Sequence, residues 1–250
     1  NIGAVLVPLD PTYPKKRLDF VVEHTEMNYL VSDSSLRALD IDIASTIYID
    51  QHLSTITSKK DKNLFKSFSL DHLAYITFTS GSTGIPKGVK VSHQPLSNLI
   101  QWQVKRSSLN NRTIQFTPLN FDVSYQEIFS TLASGGTLVL VSNEVKENPV
   151  DLINFINKNE VSRIFLPFVA LKQLAGVVYN KMAKAPHTLK EIITAGEQLK
   201  ITPSIRSFFR QLPDSCLENQ YGPCETHVVT AGKLEASNID NWNALPAIGQ

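Results

Sequence analysis

Thr79-Ser80-Gly81-Ser82-Thr83-Gly84-Ile85-Pro86-Lys87-Gly88 is the most informative stretch of this 250-residue chain. Its glycines let the backbone approach a ligand closely, and successive N–H groups in such a loop form an anion nest. Four hydroxyls (Thr79, Ser80, Ser82, Thr83) add donors and Lys87 adds a cation, so every part suits a polyphosphate. The pattern is not a Walker loop, because Pro86 precedes Lys87 and Gly88 follows it. Neither Ser80 nor Ser82 satisfies the Gly-x-Ser-x-Gly nucleophile elbow. Leu73-Ala74-Tyr75-Ile76-Thr77-Phe78-Thr79 before the loop reads as a strand. Gly88-Val89-Lys90-Val91-Ser92 after it is also strand-like, so no helix N-terminus sits beneath the phosphate.

Working outward, strands alternate with helices. Residues 4–9 form a short apolar run read as a buried strand; residues 15–26 carry Leu18, Val21 and Val22 at helical spacing; residues 28–32 and 47–49 are strand-like. Residues 51–70 are polar and read as an exposed loop. Beyond the phosphate-type loop, helices are expected over 93–106, 123–133, 170–182 and 204–211, and from Pro149, which starts one at its first position. Strands are expected over 113–117, 137–141, 164–166 and 191–194. The pattern predicts an α/β fold of layered subdomains with largely parallel sheets: a first α/β segment over 1–50, the polar loop over 51–70, and a second α/β segment over 71–250. Ligands of such sheets bind beyond the carboxyl ends of strands, which directs attention to the residues after Thr79, Thr117, Leu166, Thr194 and Glu218.

Composition excludes several functions. Lys+Arg is 24 and Asp+Glu is 23, so no broad positive field is available for nucleic acid or anionic membrane. No apolar run reaches the roughly 18 residues of a membrane helix. Asp10-Pro11 interrupts the first apolar stretch, and no basic segment precedes it, so no signal peptide is expected. Cys216 and Cys224 alone build neither a disulfide framework nor a four-ligand zinc site, and a reducing cytoplasm is expected.

Further motifs carry a family resemblance. The phosphate-type loop resembles the signature of adenylate-forming enzymes: acyl-CoA synthetases, luciferases and nonribosomal peptide synthetase adenylation domains. Ala4-Val5-Leu6-Val7-Pro8-Leu9-Asp10-Pro11-Thr12-Tyr13-Pro14-Lys15-Lys16-Arg17-Leu18 looks like an early peptide synthetase motif, and Phe121-Asp122-Val123-Ser124 looks like its amino-acid-binding motif. Asn219-Gln220-Tyr221-Gly222-Pro223-Cys224-Glu225-Thr226 looks like its nucleotide and metal motif, and Pro246-Ala247-Ile248-Gly249 like the start of the next. Order and spacing agree across the chain. The resemblance implies the interior of a larger N-terminal core, with the mobile C-terminal domain and its catalytic Lys beyond Gln250.

It also implies a reaction: a carboxylate joined to the α-phosphate of ATP, with pyrophosphate released. Developing charge on phosphates calls for positioned donors and Mg²⁺. The implied phosphate contacts are Thr79, Ser80, Gly81, Ser82, Thr83, Gly84 and Lys87. Gly196, Asn219, Tyr221 and Gly222 match adenine positions, and Glu225, a hard oxygen ligand, matches the Mg²⁺ position. Thr83, Lys87 and Glu225 are the residues implied nearest the chemistry. Cys224 departs from the family, where Thr or Ser usually approaches the α-phosphate; a thiol is a poorer donor. Cys224 lacks an evident base and is not read as a nucleophile. His93 and His227 are read as structural.

Asp122 matches the partner of the substrate's α-ammonium, a charge that must be paired when it leaves water. Asp122 or Ser124 also suits a helix cap, with Ser124-Tyr125-Gln126-Glu127 fitting a capping box. Val123, Gln126, Phe165, Ile193, Ala195, Gln220, Val228 and Val229 align with the specificity positions. None is charged, which disfavours acidic and basic substrates. The set resembles that of proline-activating domains, with Gln220 where His is more usual; proline or a substituted proline is expected, and the two glutamines alternatively serve a small polar amino acid. The implied partners are a phosphopantetheine-bearing carrier domain and condensation domains. The alternatives are a binding module without chemistry and an acyl-CoA ligase, the latter disfavoured by Asp122.

Overall fold

The computed structural model describes residues 3–58, 69–79, 85–108 and 110–249, and the chain divides into two compact units, residues 1–92 and 93–250.

In the first unit, α1 (Lys15–Thr25) buries Leu18, Val21 and Val22, the face its spacing predicts. β1 (Tyr29–Ser32) pairs in parallel with β2 (Ser45–Tyr48). Residues 4–9 do not form the expected strand: only Leu6 bridges to β3 (Leu73–Thr79), its N–H donating to the Ala74 carbonyl and its carbonyl accepting from the Ile76 N–H. Pro8, which lacks an N–H, cannot extend that ladder. The predicted polar loop over 51–70 is corrected over its first part, where α2 (Ile49–Ser58) is helical. Ile49 and Leu53 stand one turn apart, and Asp50 in the first turn accepts a hydrogen bond from the Ser34 N–H at 2.9 Å. β3 and β4 (Lys87–Ser92) pair antiparallel, and through Leu6 they join the first unit. The two compact units divide after Ser92.

The second unit is a six-stranded sheet between helices. Its elements are α3 (His93–Arg106), β5 (Arg112–Gln115), α4 (Val123–Ala133), β6 (Thr137–Leu140), α5 (Asn143–Glu147), α6 (Pro149–Lys158), β7 (Arg163–Leu166), α7 (Phe168–Tyr179), β8 (Glu191–Thr194), α8 (Pro203–Arg210), β9 (Cys216–Tyr221) and β10 (Thr230–Glu235). The strand order is β10-β9-β8-β7-β5-β6, all neighbours parallel except β10 with β9. The chain leaves β5 toward β6 on one side and returns to β7 on the other. That reversal is the switch point where an open sheet leaves a crevice at its carboxyl edge.

Period-2 alternation gives the sheet two different faces. Ile164, Leu166, Ile192 and Leu217 join an apolar core with side chains of α6, α7 and α8, including Ile153, Leu171, Ile205 and Phe209. Each such fully buried side chain contributes about 1.5–3 kcal/mol. The opposite face carries Arg163, Phe165, Glu191, Ile193, Glu218 and Gln220, all buried. Arg163 is held there by Thr113 Oγ1 at 2.9 Å and by Ser130 and Thr131 of α4 at 3.2 and 2.8 Å, with Glu191 at 3.9 Å. Removing one member of a buried charged set typically costs about 3–5 kcal/mol, so these contacts fix α4 over this face.

Candidate active site

A cavity of about 190 Å³ opens at the carboxyl edge of the second unit's sheet, lined by Asp122, Val123 and Gln126 from α4 and its cap, Ala195 and Gly196 after β8, and Tyr221, Gly222, Cys224, His227 and Val228 after β9. Nine of the predicted nucleotide and substrate residues thus come together: Asp122, Val123, Gln126, Ala195, Gly196, Tyr221, Gly222, Cys224 and Val228.

Asp122 caps α4, its Oδ1 accepting the Val123 N–H at 2.9 Å. The predicted capping box does not form. Ser124 instead donates to the Phe121 carbonyl at 2.7 Å, and Glu127 turns inward to accept from the Thr117 N–H and hydroxyl, each at 3.3 Å. Burial pushes the Glu127 carboxyl up to about 8, partly offset by its hydrogen bonds from Thr117 and Phe116 and by Lys146.

The other carboxylate oxygen of Asp122 lies 3.8 Å from His227 Nδ1. Burial holds the His227 imidazole below its ordinary range, with Asp122 pulling the other way. A neutral imidazole leaves the Asp122 charge uncompensated, and no lysine or arginine is among the lining residues. His227, read from sequence as structural, is therefore part of the site; its neighbour in space, Asp122, is over a hundred positions distant in sequence.

Gly222 is required by close approach, since a Cβ there would meet the His227 carbonyl. The loop closes where the Val229 N–H donates to the Tyr221 carbonyl at 2.8 Å. Gly196 sits at φ +84° with open space where a side chain would stand. Tyr221, which lines the same cavity, is 52% exposed. An open glycine and an accessible aromatic ring fit a planar base.

Other predicted residues lie elsewhere. Phe165 and Ile193 are buried on the α4 side of the sheet, behind the cavity lining. Asn219 faces away from Gln220 and donates to the Ala247 carbonyl at 3.1 Å. Val229 is 59% exposed, outside the lining. Glu225 is exposed, one residue beyond Cys224. In the first unit, β3 and β4 place Thr79 opposite Lys87, so the two ends of the phosphate-type loop are tied. Ser80, Gly81, Ser82, Thr83 and Gly84 lie outside the described residues.

No group of three or more His, Cys, Asp or Glu side chains gathers among the described residues. A Mg²⁺ carried on substrate phosphates needs only one or two protein carboxylates. Glu225 fits that kind of ion. Cys216 is a poor candidate for chemistry: burial pushes its thiol up to about 12.

The family model for AMP-binding enzymes matches residues 1–250. The chain belongs to that family. Within it, the chain is 37% identical to tyrocidine synthase 2 of Brevibacillus parabrevis over 254 residues, 99% of this chain and 7% of that protein. It is 32% identical to gramicidin S synthase 2 of Brevibacillus brevis over 233 residues, 91% of this chain and 5% of that protein. A crystal structure of the nonribosomal peptide synthetase FmoA3 (S1046A) shares the fold, with a TM-score of 0.83 at 22% identity, covering 97% of this chain and 26% of that one. The chain thus spans a small fraction of the proteins it matches. Among the described residues, no helix is long and apolar enough to cross a membrane.

Proposed function

We propose that the chain activates an amino acid: the substrate carboxylate attacks the α-phosphate of ATP, giving an aminoacyl adenylate and pyrophosphate, within a nonribosomal peptide synthetase. The observation that carries this reading is Asp122, a carboxylate in a cavity otherwise lined by uncharged groups and a histidine that burial keeps neutral. An α-ammonium leaving water needs such a partner. A fatty or aryl acid does not, which disfavours the acyl-CoA ligase reading.

The chain's residues divide the work. Asp122 orients the ammonium and so directs the carboxylate. Val123, Ala195 and Val228 exclude water around the side chain, and the neutral lining disfavours acidic and basic substrates. Proline, or a substituted proline, is the proposed amino acid. Tyr221 and Gly196 accept the adenine, with Asn219 bracing the strand end behind them. By resemblance to the family's motifs, Thr79, Lys87 and residues 80–84 are assigned to the phosphates, and Cys224 would supply only a weak donor toward the α-phosphate. Mg²⁺, when bound at Glu225, neutralises phosphate charge. The aminoacyl group is then transferred from the adenylate to the phosphopantetheine thiol of a carrier domain, forming a thioester and releasing AMP and the thiol proton, alongside condensation domains, in the cytoplasm.

The test is amino-acid-dependent ATP–pyrophosphate exchange by the protein that contains this chain. Exchange with neutral amino acids, proline or a substituted proline foremost, and its loss in Glu225→Ala are expected. No exchange with any amino acid refutes the activity, and exchange confined to acidic or basic amino acids refutes the pocket.

A further inference from the structure

Three glutamines meet beneath the cavity although only one of them lines it. Gln126 Nε2 donates to Gln103 Oε1 at 2.7 Å and to Gln220 Oε1 at 3.0 Å. Gln220 Nε2 donates to Gln103 Oε1 at 2.9 Å and to Glu218 Oε1 at 2.6 Å. Gln103 Nε2 donates to the Ser107 hydroxyl at 2.8 Å. The other oxygen of Glu218 faces the Arg106 guanidinium at 3.5 Å. All three amides are at least 97% buried, and Glu218 is 96% buried.

An amide can turn end for end, exchanging donor for acceptor, but a carboxylate only accepts. Glu218 therefore sets the direction of the whole chain of bonds. Gln220 must present its NH₂ to Glu218, which leaves its oxygen facing Gln126. Gln126 must then present its NH₂ to that oxygen and to Gln103. Both amide hydrogens of Gln126 are engaged, and the group left to face the cavity is its carbonyl oxygen.

We infer that Glu218, held by Arg106, is a positioning residue for specificity: it fixes the amide polarity of Gln220 and Gln126 so that the cavity offers an acceptor. The favoured ligand is a neutral amino acid whose side chain donates a hydrogen bond. This inference rests on the amino-acid-activating reading and narrows its proline-sized substrate to a hydroxylated one.

The experiment compares L-proline with cis- and trans-4-hydroxy-L-proline, by calorimetric binding and by pyrophosphate exchange, in the protein that contains this chain. One neutral hydrogen bond corresponds to a preference of about three- to tenfold. The wild type should favour one hydroxyproline isomer by that factor in Kd and in kcat/KM. Glu218→Gln removes the fixed acceptor end, and the preference should fall to within about twofold. Gln103→Glu keeps an acceptor for both glutamines and should retain it. Uniform weakening by Glu218→Gln with the preference intact would mean a merely structural role and overturn the inference, as would a wild type that favours proline. If Glu218→Gln does not fold, the volume-conserving Gln126→Met must abolish the preference; its persistence would also overturn the inference. Failure of every amino acid to bind the wild type would instead refute the activating function, and this inference with it.

Discussion

Glu127 is fully buried on the inner face of α4, and its Oε1 has no hydrogen-bond partner among the described residues. Replacing it with Gln keeps the shape and removes the titration. Burial raises its folded-state pKa from 4.5 to about 8. Between those values the folded chain keeps a proton that the unfolded chain has released. The folded state binds more protons there, so stability falls as pH rises, by about 1.4 kcal/mol per pH unit. The loss begins near pH 4.5 and levels off above pH 8, with a ceiling of about 5 kcal/mol. Glu127→Gln should match the wild type near pH 4 and exceed it increasingly toward pH 9. Trp102 and Trp242 both belong to the second unit, so urea unfolding followed by tryptophan fluorescence reports on the unit that holds Glu127. The difference between variant and wild type isolates this group from others that titrate. Parallel stability curves across pH 4–9 would refute the reasoning, as would a variant that is less stable at every pH.

His227 is neutral because it is buried, and its protonation places a cation against Asp122. Amino-acid affinity measured by calorimetry should therefore weaken about three- to tenfold once pH falls far enough below the ordinary histidine range to protonate the buried ring, and His227→Gln should flatten that profile. Protonation of His227 in the unfolded chain also lowers stability as pH falls below about 6.5, which denaturant titrations of the same variant check. Cys224→Thr supplies a better donor and should raise kcat for adenylate formation about fivefold, read by single-turnover kinetics; a slower variant would mean that the thiol's size matters more than its donor strength. Cys224, part-exposed, should be alkylated by iodoacetamide well before Cys216, whose thiol is held up to about 12; mass spectrometry gives the order.

The parts of the fold that were legible in the sequence are those where local pattern and burial agree. Leu18, Val21 and Val22 announce α1, and the apolar run at Ile192 and Ile193 announces β8. Asp122 was marked by its resemblance to the amino-acid-binding motif, since an acid before a helix is by itself an ordinary cap. Other features depend on tertiary pairing. β10 reads Thr230-Ala231-Gly232-Lys233-Leu234-Glu235, half-exposed at a sheet edge, with little alternation to mark it. Leu6 needs Ala74 and Ile76 to become strand-like. The glutamine network joins residues 103 and 220, 117 positions apart, and no local spacing could reveal it. Gln126 and Gln220 were marked by resemblance, whereas Gln103, Glu218 and Arg106 became visible only once α3 lay over β9. Glu127 was drawn by its position toward a capping box, but a carboxylate on the inner face of α4 is reached first by Thr117.

The central claim is that Asp122 pairs with a substrate ammonium. It is tested most directly by comparing proline with cyclopentanecarboxylate, the same ring without the amine, in pyrophosphate exchange by the wild type and by Asp122→Asn. Breaking a buried charge pair costs about 3–5 kcal/mol, or roughly 100- to 5,000-fold in kcat/KM. The wild type should use proline with at least that advantage, and Asp122→Asn should lose most of it. Equal use of the two acids by the wild type, or an undiminished preference for proline in Asp122→Asn, would contradict the account.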